Sequence, residues 1–319
     1  MRVLFAGTPE TALPCLHALL DSEHEVVGVL TRPDARRGRG RARQPSPVAA
    51  LARKAGLGVR TPTTLRDPGV GEWVRSLDLG VAVVVAYGRL VPPTLLEVPD
   101  HGWLNLHFSL LPSWRGAAPV QRAVLAGEEV TGVSVFRLEE GLDSGPVYAR
   151  LPEPVGPQDT SGDLLGRLAA TGAPLVLDVL RCLAEGTARA QPQDGSRATL
   201  APALTAEEGR IRWAEEASTV ARQVRGVTPA PGAYTTFQGR RLLLGSVVPV
   251  PPDTVLQPGQ LRVSKHEVLV GTGSCAVRLG RVAPAGRSWM DAEDWARGAR
   301  PPQGSFLGTE PRAEDEAVS

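Results

Sequence analysis

The amino-acid sequence predicts an α/β protein with a mostly parallel sheet, followed by a second, smaller β domain. The first observation is length, since 319 residues exceed what one hydrophobic core usually serves. The second is that apolar runs alternate with helical stretches through the first half, which is typical of βαβ units. The third is a change of pattern beyond residue 209, where short β-rich runs are separated by glycines, as in a small barrel or sandwich.

The elements of the first domain follow from these runs. Residues 2–7 (RVLFAG) predict a first buried strand, and residues 79–88, apolar on both faces, carry the strongest strand signal. Further strands are predicted over 24–30, 102–109, 131–138 and 145–155, and helices over 11–21, 46–54, 90–97 and 161–186. The last two strands are close enough in sequence to form an antiparallel edge.

The domain boundary is predicted from a stretch without hydrophobic periodicity. Residues 187–209 are rich in Ala, Pro, Gln and Thr, and a short helix over 217–226 follows them. We therefore expect a first domain over 1–186, a linker over 187–206, a second domain over 207–305 and a disordered tail over 306–319.

Charge and cysteine content limit the class of protein. The net charge is +1, so any affinity for nucleic acid must come from a local patch. Residues 36–43 (RRGRGRAR) contain five arginines, which either follow a phosphate backbone or form a solvated surface loop. Three widely spaced cysteines predict neither a disulfide framework nor a cysteine metal site, and they favour a reducing cytoplasm. We see no signal peptide or membrane-spanning run and expect no membrane association.

The stretch NLHFSLLP, residues 105–112, places two polar side chains in an apolar strand. Asn105 and His107 are two residues apart, so on a strand they face the same side. The ends of parallel strands are where open α/β sheets bind ligands. An amide and an imidazole there are suited to donate hydrogen bonds to a developing oxyanion. A hydrogen-bonded structural histidine is the other interpretation, and this motif alone leaves both open.

Two loops carry parts of known site patterns. Asp143 lies in GLDSGP, between glycines that allow either close approach to a ligand or a plain turn. The first strand-to-helix turn, FAGTPETA, has one glycine where the dinucleotide fingerprint has three. We therefore expect no nicotinamide or flavin cofactor.

Together, NLHFSLLPSWRGAAPVQ and GVSVFRLEEGLDSGPV resemble the signature of the formyltetrahydrofolate-dependent formyltransferases. The resemblance implies a Rossmann-like catalytic domain, with catalytic roles for Asn105, His107 and Asp143. It also implies a folate pocket, because VVVAYGRLVP resembles the folate-site strand and loop of that family. The residues implied at this pocket are Ser109, Leu110, Leu111, Pro112, Tyr87 and Leu90.

Other segments resemble the branch of this family that formylates methionyl initiator tRNA. They are FAGTPETALPCLHALL, GRGRARQPSPV, RIRWAEEASTVARQVRGVTPAPGAYT and RVAPAGRSWMDAEDWARG. The resemblance implies an OB-like C-terminal β-barrel over 207–305 that binds tRNA, and contacts from Arg39, Arg41 and Arg43 to the tRNA acceptor end. The implied reaction moves the formyl group of 10-formyltetrahydrofolate, as co-substrate, to the α-amine of methionyl initiator tRNA. We expect no metal and a monomeric enzyme.

Three alternatives stand beside this interpretation. In the first alternative, the formyl acceptor is a small molecule, such as a purine precursor or an amino sugar, or the formylfolate is hydrolysed. A triad with Ser109 as nucleophile and His107 as base is disfavoured, because residues two apart on one strand are rarely oriented for such attack. The last alternative is a catalytically silent RNA-binding module, which would not require Asn105, His107 and Asp143 together. One departure from the family pattern is Phe108, which stands where a small residue is usual.

Overall fold

The computed structural model describes residues 1–37 and 42–308, which form two compact units. The first unit comprises Met1–Pro119, Val130–Pro154 and Leu164–Pro202, and the second comprises Val120–Glu129, Val155–Asp163 and the chain from Ala203 onward. Both units are discontinuous in sequence, whereas the predicted domain ranges are continuous. The domain ranges given from the sequence stay a prediction. Within the described residues, none of the helices combines the length and apolar character needed to cross a lipid bilayer.

The first unit is built on a seven-stranded sheet with two small ribbons. Its strands are β1 (Arg2–Gly7), β2 (Glu25–Leu30), β3 (Ala35–Arg37), β4 (Ala42–Gln44), β5 (Val59–Arg60), β6 (Val81–Val85), β7 (Trp103–His107), β8 (Arg115–Gly116), β9 (Val130–Arg137), β10 (Val147–Pro154) and β11 (Leu200–Ala201). The large sheet has the order β10–β9–β7–β6–β1–β2–β5. Strands β7, β6, β1, β2 and β5 are parallel, whereas β9 is antiparallel to both β7 and β10. The Rossmann-like, mostly parallel sheet and its antiparallel edge are confirmed.

The helices that the sequence predicted lie close to their expected positions, with one exception. The helices of the structure are α1 (Leu13–Leu20), α2 (Pro47–Lys54), α3 (Pro68–Ser76), α4 (Pro93–Leu96), α5 (Pro119–Ala126), α6 (Ser161–Ala184), α7 (Ala217–Gly226) and α8 (Ala292–Ala299), with 3-10 turns at Glu10–Ala12, Gly195–Arg197 and Glu207–Gly209. Of these, α3, α5 and α8 were not predicted. The helix predicted over 90–97 was too long. Proline lacks an amide proton and its ring blocks the preceding helical turn, so helix α4 begins only at Pro93, after Pro92.

Strand β7 presents one face to helix α6 and leaves the other for polar side chains. A Cβ placed on Gly172 of α6 would lie 2.9 Å from the side chain of Leu106, so this helix approaches the strand closely at its glycine. Leu106 alternates with Asn105 and His107 along the strand, which therefore face the opposite side. The packing of α6 thus fixes which face of β7 carries the polar pair.

The second unit confirms the small antiparallel β domain. Its strands are β12 (Tyr234–Phe237), β13 (Arg240–Leu244), β14 (Val247–Pro249), β15 (Leu261–Val263), β16 (Val268–Val270), β17 (Val277–Leu279), β18 (Arg281–Pro284) and β19 (Met290–Asp291). They form two four-stranded sheets, β12–β13–β18–β19 and β14–β17–β16–β15. Side chains of both sheets and of helices α7 and α8 share one hydrophobic core, as expected of a barrel-like domain.

The start of the predicted disordered tail is ordered. Leu307 is buried in the core of the second unit, and its amide donates a hydrogen bond of 2.8 Å to the carbonyl of Gly259. Gly308 likewise donates from its amide to the carbonyl of Thr236 at 2.8 Å. The prediction was wrong for residues 306–308, because one buried leucine and two main-chain hydrogen bonds hold this segment. The rest of the predicted tail, residues 309–319, lies outside the described part of the chain.

The role of Gly172 can be tested by comparison with Gly166 on the same helix, where an added Cβ meets nothing within 4 Å. Gly166→Ala should stabilise the protein by about 0.5–1 kcal/mol, because alanine is the better helix former. Gly172→Ala gains the same propensity but overlaps Leu106, and overpacking typically costs about 1–3 kcal/mol. We predict that Gly172→Ala is the less stable of the two variants by that amount in urea unfolding. Equal stability would contradict the proposed close packing of α6 on β7.

Candidate active site

The buried imidazole of His107, at the carboxyl end of β7, is held between two loops. Its Nε2 lies 2.9 Å from the carbonyl oxygen of Trp114, and its Nδ1 lies 3.7 Å from Oδ2 of Asp143. A carbonyl only accepts hydrogen bonds, so Nε2 carries the proton and Nδ1 is the nitrogen that faces the carboxylate. The structure thus brings together two of the three residues predicted to be catalytic.

Burial sets the protonation state of this histidine. Desolvation lowers the pKa of His107 below its usual 6.5, while the nearby Asp143 carboxylate and the Trp114 carbonyl raise it in part. At neutral pH the ring is therefore uncharged, with a lone pair on Nδ1. A proton that arrives at Nδ1 creates an imidazolium directly facing Asp143, which makes His107 a base with a built-in counter-charge.

The Asp143 loop is held in a strained conformation. The residue has φ of 47°, in the left-handed region that non-glycine residues rarely adopt. Its Oδ2 accepts a 2.8 Å hydrogen bond from the amide of Gly116. A Cβ on the neighbouring Gly145 would overlap the carbonyl oxygen of Arg137, so only glycine fits there. These contacts fix the carboxylate beside His107.

The turn that carries Trp114 is strained in the same way. Trp114 has φ of 62°, and its amide donates a 2.8 Å hydrogen bond to Oγ1 of Thr199. At Gly116, where φ is 126°, an added Cβ would lie 2.7 Å from the carbonyl oxygen of Ala201. The turn is thus packed against β11, with which β8 pairs in parallel.

A glutamine that the sequence analysis missed joins the two loops. Nε2 of Gln193 donates to the carbonyl oxygens of Asp143 (2.8 Å) and Gly145 (2.7 Å). Its Oε1 accepts from Nε (3.1 Å) and Nη2 (2.8 Å) of Arg115. Gln193 and Thr199 both lie in residues 187–206, which were predicted to be a linker. Neither residue belongs to a motif or a periodic pattern, so no local signal could have found them.

Asn105 is the third predicted catalytic residue and is half-buried on the same face of β7 as His107. Its backbone pairs with β6 and β9 in the sheet. Among the described residues its side-chain amide has no hydrogen-bond partner. Open α/β sheets bind ligands near the carboxyl ends of their parallel strands, and an amide there without a protein partner has its N–H groups available to a bound molecule.

The stretch from Ser109 to Pro112 is anchored to strand β9. The Ser109 hydroxyl donates a 2.6 Å hydrogen bond to the carbonyl of Ser113. Its proton is therefore not donated to His107, as a triad with Ser109 as nucleophile would require. The Ser134 hydroxyl on β9 accepts from the amide of Leu111 (3.0 Å) and donates to the carbonyl of Ser109 (2.7 Å). Leu111 is buried, whereas Leu110 and Pro112 are half-buried. Any folate contact from this stretch therefore comes mainly from its backbone and from its half-buried members.

The structure separates the other two residues predicted at the folate pocket. Tyr87 is buried in the hydrophobic core beside the sheet, and burial raises the pKa of its phenol to about 12. Its carbonyl accepts a 2.9 Å hydrogen bond from Oγ1 of Thr8, which ties the loops after β1 and β6 together. Leu90, by contrast, is 86% exposed. Of the two side chains, only that of Leu90 is accessible to a ligand here.

The arginine-rich segment begins and ends in a two-stranded ribbon rather than a simple loop. Strands β3 and β4 pair antiparallel, with Arg36 directly opposite Arg43, and both residues are exposed. Opposed cross-strand residues share a face, where like charges repel. Arg39 and Arg41 lie outside the described residues. The described part of the chain contains no cluster of three or more His, Cys, Asp or Glu side chains that could hold a metal ion.

The sequence matches two families of known domains. Residues 1–180 match the formyl transferase family, and residues 203–300 match the formyl transferase C-terminal domain. This chain belongs to the formyl transferase family. The methionyl-tRNA formyltransferase of Salinispora arenicola is 55% identical over 307 residues, which are 96% of this chain and 100% of that protein. Within the family, the chain thus falls among the methionyl-tRNA formyltransferases.

Two solved structures share the fold. HypX from Aquifex aeolicus in complex with tetrahydrofolic acid has a TM-score of 0.66 at 19% identity, over 93% of this chain and 47% of that one. The methionyl-tRNA formyltransferase from Clostridium thermocellum has a TM-score of 0.54 at 14% identity, over 88% of this chain and 98% of that one. At these identities the likeness concerns the fold alone.

The protonation state of His107 gives a direct test of the site geometry. We predict that the pKa of His107 lies below 6.5 and that Asp143→Asn lowers it further, because the carboxylate is the charge that raises it. Asparagine keeps an acceptor for the amide of Gly116. The measurement is a pH titration of the ring nitrogens by NMR, with Asp21→Asn at the exposed end of α1 as the control. A pKa that rises or stays constant in Asp143→Asn would contradict the assigned contact.

Proposed function

We propose that this chain transfers the formyl group of 10-formyltetrahydrofolate to the α-amine of methionyl initiator tRNA and so produces formylmethionyl-tRNA. The observation that carries the proposal is the buried, neutral His107 facing Asp143 at the carboxyl end of β7. It occurs in a chain that matches methionyl-tRNA formyltransferases over nearly its whole length. The chemistry requires no covalent enzyme intermediate.

The attacking group is the free amine of the methionyl ester. A free α-amine has a pKa of about 8, and esterification removes the neighbouring carboxylate, which lowers the value further. A substantial fraction of the amine is therefore neutral at physiological pH. Its nitrogen attacks the formyl carbon, and the carbonyl oxygen becomes an oxyanion. Asn105 donates an amide hydrogen bond to this oxygen, because its side chain has no protein partner among the described residues.

His107 moves the proton that the amine must lose. As the new C–N bond forms, Nδ1 accepts this proton, and the imidazolium is stabilised by Asp143 while Nε2 stays bound to the Trp114 carbonyl. The proton then passes to N10 of the folate as the bond between N10 and the formyl carbon breaks. The imidazole returns to its neutral form, so atoms and charges balance over the cycle.

The two substrates are assigned to different surfaces. The folate lies beside the backbone of residues 109–112 and the exposed Leu90, with Tyr87 supporting the loop from the core. The tRNA acceptor end lies against the arginine ribbon, because the repulsion between Arg36 and Arg43 is relieved by a phosphate. The stretch between residues 205 and 298 adds a modest positive excess, with 12 Lys or Arg against 9 Asp or Glu.

The assembly state and location belong to the same proposal. We infer a monomer that works in the cytoplasm, where charged tRNA is used for protein synthesis. Three unpaired cysteines, Cys15, Cys182 and Cys275, fit a reducing compartment. Light scattering of the purified protein tests the assembly state, and a dimer at working concentration would contradict it.

The reaction is tested with the purified chain, 10-formyltetrahydrofolate and initiator tRNA charged with methionine. Free methionine, an amino sugar and a sample without acceptor are run in parallel. The expected product is formylmethionine recovered after the tRNA is deacylated. Formylation of the small amines alone would replace the proposal with a small-molecule formyltransferase, and formate release without acceptor would replace it with a hydrolase.

The catalytic assignment predicts separate effects on turnover and binding. His107→Ala and Asp143→Ala should lower kcat by about 10²–10⁴, the usual range for removal of an acid–base group. Asn105→Ala should lower it by about 10²–10³, as for removal of an oxyanion donor. His101→Ala, at the amino end of β7, is the control and should keep wild-type turnover. The assignment is wrong if any of the three variants folds and keeps near wild-type kcat.

The arginine segment should affect tRNA binding without affecting the chemistry. Changing Arg39, Arg41 and Arg43 together to Gln should raise KM for tRNA and reduce its salt dependence, because fewer counterions are released on binding. The slope of log affinity against log salt concentration should become shallower by about 1 for each phosphate that the protein no longer binds. Arg181→Gln, an exposed arginine of α6, is the control. An unchanged salt slope in the triple variant would argue against contact between this segment and the tRNA.

A further inference from the structure

Residues 191–201, within the predicted linker, are packed against the loops around His107 in the first unit. Gln191 exchanges two main-chain hydrogen bonds with Val147, of 2.8 and 2.9 Å, just beyond the Asp143 loop. Further along, Thr199 binds the Trp114 turn through its side chain, and β11 pairs with β8. The segment therefore contacts both loops that hold the His107 ring.

The side chain of Gln193 is the point at which both loops meet. A primary amide has two N–H donors and two acceptor lone pairs, and Gln193 uses all four. Both N–H groups donate to carbonyls of the Asp143 loop, and the oxygen accepts two hydrogen bonds from Arg115. A reversed amide would place its oxygen against two carbonyls and its NH2 against a guanidinium. The orientation of the amide is thus determined by its partners.

The two loops need this support because both are strained. Trp114 and Asp143 have φ of 62° and 47°, in the left-handed region that non-glycine residues adopt only at an energetic cost. Each of these residues supplies one partner of the His107 ring, a carbonyl to Nε2 and a carboxylate near Nδ1. If either loop relaxed, the ring would lose one of the partners that set its tautomer and its orientation.

We propose that Gln193 is a positioning residue of the active site, which fixes the tautomer and orientation of His107 by holding the Trp114 turn and the Asp143 loop in register. The proposal rests on the catalytic role assigned to His107 under the proposed function. Gln193 itself touches neither ring nitrogen, so it acts through Arg115 and the Asp143 backbone. The side chain of Gln193, in a segment that was predicted to be a linker, is then part of the support of the active centre.

The first test replaces Gln193 by Met, which keeps the length of the side chain and removes all four hydrogen bonds. We expect kcat to fall by about 10- to 100-fold, because a displacement of about 1 Å in a catalytic group has effects of this size. KM for folate and for tRNA should stay within about twofold of wild type, since substrate contacts are unchanged. Gln191→Met is the matched control, because its exposed side chain lies in the same segment and its contact with Val147 is through the main chain.

A second variant separates the two loops. Gln193→Glu retains an acceptor for Arg115 but places an oxygen against the carbonyls of Asp143 and Gly145. It should therefore release the Asp143 loop, fold with Arg115 still paired, and show the same loss of kcat. It also provides the answer if Gln193→Met does not fold.

A third measurement does not depend on turnover. The ring ¹⁵N signals of His107, assigned by their loss in His107→Gln, should show one tautomer with the proton on Nε2 in the wild type. They should shift towards a mixture of tautomers in both Gln193 variants and stay unchanged in Gln191→Met. Wild-type kcat in a folded Gln193 variant, or ring signals identical to those of the wild type, would overturn the proposal. A wild-type protein that formylates no tRNA would overturn the proposed function instead, and the ring signals would still decide the effect of Gln193 on His107.

Discussion

The active centre depends on one constraint, which is that the two nitrogens of a buried imidazole must face two different loops. The Trp114 carbonyl fixes the proton on Nε2, and this leaves Nδ1 facing Asp143 as a base. Neither loop is adjacent to the other in sequence, so the site forms only when the sheet brings β7 and β9 together. The strand order of the first unit is therefore a condition for the chemistry as well as for the core.

The strain at this site is offset by polar contacts rather than by burial of apolar surface. The left-handed conformations of Trp114 and Asp143 are held by a hydrogen bond from the Trp114 amide to Thr199 and by hydrogen bonds from Gly116 and Gln193 to Asp143. Each such bond contributes about 0.5–1.5 kcal/mol net, so several are needed to offset the strain. This explains why a segment with no hydrophobic period is nevertheless ordered. Its residues are ordered by the same hydrogen bonds through which they support the two loops.

Local patterns predicted those parts of the molecule that local physics determines. The five buried residues of β6 follow from a continuous apolar run, and the bounds of α7 and the shared face of Asn105 and His107 follow from periodicity. The contributions of Gln193 and Thr199 could not be predicted, because they arise from contacts 50 and 85 residues distant in sequence. Leu307 was missed for the same reason, since its burial depends on a core assembled from both sheets of the second unit.

The low pKa of His107 determines at which stage of the reaction the attraction between this ring and Asp143 acts. In the resting state the ring is neutral, so the carboxylate faces a lone pair and gains little from it. In the mechanism that we propose, the attraction is realised only when Nδ1 has taken the proton of the attacking amine, which is when the oxyanion forms. An interaction present in the transition state and absent from the ground state raises kcat and leaves substrate binding unchanged. Under this proposal, burial of the histidine opposes its protonation in the resting state, so the ion pair with Asp143 forms only in the chemical step.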